Sequence, residues 1–137
     1  MSPLPEITVA AAIIWKNKKV LVSLRKSHQH LGGHWEFPGG KPLPGEALEA
    51  CVKREVKEEI GIEIKVEKLF SQTQFEYPEK KVTLFFFECS YLSGEAQSLE
   101  VEQVLWADLA QLKTLGFAPA NQSTLEQLFH VHKNQLL

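Results

Sequence analysis

Three scarcities narrow what this sequence can be. Cysteine is one: Cys51 and Cys89 are the whole complement in 137 residues. They lie far apart in apolar-patterned segments and read as reduced core thiols in a reducing compartment, not as a disulfide framework. Excess charge of either sign is also missing. Fifteen basic residues face seventeen acidic ones, so no global basic field exists to hold long nucleic acid by counterion release, and no such partner is expected. Long apolar runs are the third: nothing approaches the roughly 20 residues of a membrane span, and Met1 to Pro5 lacks the positive stretch and apolar run of a secretory signal. The expectation is a soluble cytoplasmic protein, and a small phosphorylated ligand would need only a local site. Oligomeric state leaves no readable trace.

What is present is ordinary globular composition, 44% hydrophobic and 23% charged, without repeats or low-complexity tracts. One domain over residues 1–137 is expected, with 1–6 as a flexible tail. Ile7 to Trp15 is an apolar, β-branched run. A turn at Lys16-Asn17-Lys18 leads into a second run, Val20 to Leu24, and together they predict a hairpin. A polar stretch precedes a short strand at His34 to Phe37 and the glycine loop Pro38-Gly39-Gly40, which continues through Pro42, Pro44 and Gly45.

From Glu46 to Ile60 the period changes. Ala47, Ala50, Cys51 and Val56 form an apolar stripe at helical spacing, and Gly61 stands where helices commonly end. Ile62 to Tyr77 and Val82 to Tyr91 predict two strands joined around Pro78-Glu79-Lys80, and Val101 to Trp106 a shorter one. Asp108 to Leu112 predicts a helical turn and Asn121 to Lys133 a closing amphipathic helix. The fold class is a mixed α/β (α+β) sandwich.

Within the long helix, Arg54-Glu55-Val56-Lys57-Glu58-Glu59 places carboxylates at i, i+3 and i+4, so Glu55, Glu58 and Glu59 share one face. Like charges so placed repel by roughly 0.2–0.5 kcal/mol per pair. Two readings fit: a solvated acidic face interleaved with Lys53 and Lys57, or a site for a cation that prefers oxygen ligands, as magnesium does. The glycines at 39 and 40 favour the second, because they let backbone approach a phosphate or metal.

Gly40, five residues to Glu46, seven to Arg54-Glu55-Val56, one to Glu58-Glu59 and one more to Gly61-Ile62: this spacing resembles the complete box of the Nudix hydrolases. The resemblance runs from Ala10 to about Leu128 and is nearest the MutT-type nucleotide-sanitising subgroup, through Trp35-Glu36-Phe37-Pro38-Gly39-Gly40-Lys41 and Phe117-Ala118-Pro119-Ala120-Asn121. It implies a Nudix fold, a mixed β-sheet sandwiched between helices. It further implies Glu55, Glu58 and Glu59 as ligands of Mg2+, or Mn2+ in its place, with the Gly39 carbonyl and a late-loop carboxylate. Glu100 fits that last position by its spacing to Trp106, with Glu102 in reserve. Arg54 is implied to orient a box glutamate, Glu46, by a paired hydrogen bond, and Glu55 and Glu100 stand as alternatives for the general base.

For the substrate, the resemblance implies a nucleoside triphosphate cut to the monophosphate and pyrophosphate, with 8-oxo-dGTP foremost. Arg25 would contact the phosphate or sugar side, the Phe37 N–H and Asn121 the base. Lys80 stands where the subgroup carries arginine, a departure that touches that contact. Alternatives are a CTP-type pyrophosphatase, an RNA 5′-pyrophosphohydrolase and a non-catalytic nucleotide-binding module. Asn121 also reads as the cap of the last helix. Trp35 and Trp106 read as packing residues, and the five histidines carry no metal-ligand spacing.

Overall fold

The computed structural model describes residues 3–136. Strand β1 (Glu6–Lys16) is its centre, and the hairpin turn at Asn17 and Lys18 returns the chain as β2 (Lys19–Leu24). Two short strands follow, β3 (Trp35–Glu36) and β4 (Gly39–Gly40), then helix α1 (Leu48–Ile60). A long antiparallel pair comes next, β5 (Glu63–Tyr77) and β6 (Lys80–Ser93). After β7 (Gln103–Ala107), α2 (Leu109–Leu112) and a 3-10 turn (Pro119–Asn121) lead into α3 (Gln122–Val131).

The sheet runs β3-β2-β1-β6-β5, with β4 paired to β1 and β7 to β2. Most pairings are antiparallel, but β1 and β6 run parallel from Glu6↔Lys81 to Trp15↔Ser90. Both faces of β1 are covered, which is why its sequence reads as a continuous apolar run. Ala11 and Ile13 join Val22, Phe86, Leu125 and Leu128 in the core beneath α3; Ala10, Ala12 and Ile14 join Leu21, Val52, Val56 and Ile60 beneath α1. Burial of the larger of these side chains, the valines, leucines, isoleucines and Phe86, is worth roughly 1.5–3 kcal/mol each before the entropy of ordering the chain is set against it. Cys51 and Cys89 are free and buried in the second core.

The structure corrects several boundaries. Pro5 and Glu6 are not tail: the Pro5 carbonyl accepts from Lys81 N–H, and Glu6 already pairs in the sheet. Helix α1 begins at Leu48, not Glu46, because Ala47 is extended and the Glu46 carboxylate accepts the Leu43 N–H in the preceding loop. The last helix starts at Gln122 and ends at Val131, since Pro119–Asn121 is a separate 3-10 turn and His132 leaves helical geometry. The late strand is Gln103–Ala107, while Val101 and Glu102 stay in the approach loop, tied by Glu102 N–H to the Leu24 carbonyl. No helix among the described residues is long and apolar enough to cross a membrane.

Candidate active site

The glycine loop rests directly on β1. Gly39 pairs with Ala11 and Gly40 with Ala10, and the small alanines leave room for this approach. A Cβ at Gly39 would fall 2.1 Å from the Ala10 carbonyl oxygen, and one at Gly40 would fall 2.4 Å from the Glu55 carboxyl. Backbone is therefore pressed against a carboxylate, as only glycine allows.

Helix α1 supplies the acids, and Arg54 organises them. Its Nε and Nη2 donate to the two oxygens of Glu46 at 2.8 and 2.9 Å, and its Nη1 donates to Glu55 at 2.8 Å and to Glu58 at 3.2 Å. Nη2 also reaches the Lys41 carbonyl. This fork-to-fork pairing holds the Glu46 carboxyl down to about 2, chiefly through the bonds from Arg54. Glu59 behaves oppositely. Burial, then its hydrogen bond with Glu55 and the charges of Glu55, Glu36 and Glu100, push its carboxyl well above the usual carboxylate range.

The three box glutamates are thus divided: Glu55 and Glu58 bond to Arg54, and Glu59 bonds to Glu55. Among the described residues no three carboxylate, imidazole or thiol groups close into a metal cage. Glu100 adds its charge to the surroundings of Glu59, and its N–H donates to the Glu59 carbonyl at 3.2 Å. The carboxylates and the glycine backbone supply hard oxygen donors that fit a hard divalent cation; the Cys51 thiol, which donates to the Gly40 carbonyl, is pushed up to about 11 by burial and stays protonated.

Beside the cluster lies a cavity of about 240 Å³ lined by Arg25, Phe37, Gly39, Gly40, Lys80 and Asn121, among others. Arg25, Phe37, Lys80 and Asn121, scattered in sequence, therefore meet in one place. Arg25 donates to the His30 carbonyl at 2.8 Å and to Glu36 at 3.1 Å. Lys80 Nζ stands 5.5 Å from the Tyr77 ring. The Phe37 ring is core, packed against Phe86 and Phe117. Its N–H donates to Asn121 Oδ1 at 3.3 Å, so it is held by the asparagine instead of standing free. Asn121 occupies the cap position of α3, yet its side chain makes no cap bond; the N-cap reading fails on that geometry.

A model of the NUDIX domain family matches residues 9–127. The chain belongs to this family. A relative from Escherichia coli K12 named 8-oxo-dGTP diphosphatase is 32% identical over 124 residues, covering 90% of this chain and 96% of the relative. Another from the same organism, a CTP pyrophosphohydrolase, is 32% identical over 120 residues, covering 88% and 89%. The crystal structure of the MutT protein from Methanosarcina mazei Go1 superposes with a TM-score of 0.85 at 28% identity, covering 97% of this chain and 99% of that one. The chain is accordingly a NUDIX hydrolase with the mixed α+β architecture of its relatives.

Three residues of this NUDIX site escaped the sequence reading. Glu36 is mostly buried, and burial raises its carboxyl against the opposing pull of Arg25. Tyr77 and His30 line the cavity, their rings 5.4 Å apart edge to face. The one signal for Glu36 was its place beside Phe37; Tyr77 and His30 arrive through the β5–β6 hairpin and the loop after β2, which no spacing announces.

Proposed function

We propose that this NUDIX hydrolase cleaves a nucleoside triphosphate to the monophosphate and pyrophosphate, with 8-oxo-dGTP as substrate, in the cytoplasm as part of nucleotide-pool sanitation. The observation that carries the reading is the seating of Asn121. Its amide sits in the cavity, tied to Phe37 N–H, and does no work as a helix cap. An amide both donates and accepts. Ordinary guanine offers two acceptors, O6 and N7, on its major-groove edge; oxidation at carbon 8 puts a proton on N7, turning the edge into acceptor beside donor, which a fixed asparagine matches.

NUDIX hydrolases generally need divalent metal ions, and Mg2+, with Mn2+ as substitute, is the ion proposed here. Glu55, Glu58, Glu59 and Glu100 with the Gly39 carbonyl would hold it. When bound it supplies charge neutralisation on the phosphoryl oxygens and a more acidic water. The chain's own residues do the rest. Arg54 keeps Glu46 and Glu55 in fixed rotamers, Glu55 or Glu100 accepts the proton of the attacking water, and Arg25 and Lys80 face the anionic side of the substrate from the cavity wall.

A panel of nucleoside triphosphates, 8-oxo-dGTP, dGTP and CTP included, assayed for pyrophosphate release tests the reading. Highest kcat/KM on 8-oxo-dGTP is the expected result, and preference for CTP or for RNA 5′ ends overturns the substrate assignment. Oxygen-18 water then locates the attack: label in pyrophosphate marks the β-phosphorus, label in the monophosphate the α-phosphorus. Inorganic phosphate as first product refutes the reaction itself.

A further inference from the structure

Ser23 is fully buried in β2, and its Oγ has no hydrogen-bond partner among the described residues. Such a hydroxyl is a defect that an alanine would remove. Alternation along the strand gives its side: Val20 and Val22 belong to the core beneath α3 and Leu21 to that beneath α1, so Ser23 faces α1. Its partner across the ladder on one side is Glu36, and on the other Val104 of β7. Glu36 is one of the charges felt by Glu59. Ser23 therefore lies beside Glu36 on the α1 face of the sheet, the face toward which α1 turns Val52 and Val56, and Glu59 follows these by seven and three residues on the same side of the helix.

Donors around that group are unevenly shared. Arg54 gives its bonds to Glu46, Glu55 and Glu58, and Arg25 gives to Glu36. None of these reaches Glu59. A carboxylate that ligates a cation holds its orientation best when its free lone pairs are also bonded. We propose that Ser23 is a positioning residue whose hydroxyl donates to the Glu59 carboxylate when that carboxylate ligates the divalent cation.

The inference rests on the metal reading above, and the test separates the two. Mn2+ binding to the full chain is measured by electron paramagnetic resonance for wild type and Ser23→Ala, beside the melting temperature of each without metal. The expected result is Mn2+ binding about tenfold weaker in Ser23→Ala, the equivalent of about 1.4 kcal/mol, with a metal-free melting temperature equal to or above wild type. Wild type without Mn2+ affinity refutes the metal reading itself. Wild type that binds while Ser23→Ala binds equally well overturns the role of Ser23. Weaker binding accompanied by a lower metal-free melting temperature also overturns it, since packing then accounts for the loss.

Discussion

Arg54 clasps both oxygens of Glu46 with Nε and Nη2 while its remaining nitrogen, Nη1, reaches Glu55 at 2.8 Å. One guanidinium thus joins the loop before α1 to the helix face that carries the acids. Lysine has the charge but not the fork. Arg54→Lys is expected to lower kcat about tenfold or more while circular dichroism stays that of a folded protein. Wild-type kcat in Arg54→Lys would show that charge alone suffices.

The same pair sets an acid limit. Glu46 has a folded-state value of about 2, below its ordinary 4.5, so its contribution to stability is fully present above about pH 4.5 and is lost as pH falls toward 2. Melting temperature measured from pH 6 to pH 2 should fall along this limb, and Glu46→Gln should flatten it. An identical acid limb in the variant would remove Glu46 from the account.

Replacing box acids separates catalysis from folding. Glu58 is nearly half exposed and, among the described residues, bonded to Arg54 alone, so Glu58→Gln removes a charge from a repelling face at little structural cost. Turnover is expected to drop by about two orders of magnitude or more, with unchanged or slightly raised melting temperature. Near-normal metal-dependent activity in Glu58→Gln would refute its place in the site.

Asn121→Ala should lower the ratio of kcat/KM for 8-oxo-dGTP over dGTP by roughly ten- to hundredfold, the worth of one buried group left unsatisfied. Some stability is lost as well, because the Phe37 N–H loses its acceptor. Loss of stability with an unchanged ratio would reduce Asn121 to scaffolding.

The two glycines of β4 should fail in different ways. A methyl at Gly39 meets the backbone of Ala10, which cannot move without parting β4 from β1, so Gly39→Ala is expected to cost about 1–3 kcal/mol in chemical denaturation. At Gly40 it meets the Glu55 side chain, which can swing away; that variant should stay folded and lose turnover. Equal melting temperatures in both variants would contradict this division.

Much of this was legible in the sequence because it was local. The acids of α1 follow from helical spacing, and Arg25, Phe37, Lys80 and Asn121 follow from family resemblance; all four line one cavity. What stayed hidden depended on distant pairing. Glu36 enters the site because β3 pairs with β2 at Ser23, and Tyr77 because the β5–β6 hairpin reaches the same cavity. The start of α1 was misplaced because Glu46, a good first-turn residue, is used by Arg54 and Leu43 instead. The division of Glu55 and Glu58 from Glu59 is set by where Arg54 reaches, while helical spacing alone puts all three on one face.

The parallel pairing of β1 with β6 bears on the order of assembly. A ribosome synthesises the glycine loop and the acidic helix, all within residues 1–62, before any of β6. Yet β1, the floor under Gly39 and Gly40, takes its longest pairing from residues 81–90. Contacts so remote in sequence form late and slowly, after the entropy of closing a long loop has been overcome. The nascent chain therefore carries every acid of the box while lacking the sheet that aims them, and a truncated product ending after Ile62 would be a sequence signature without an enzyme.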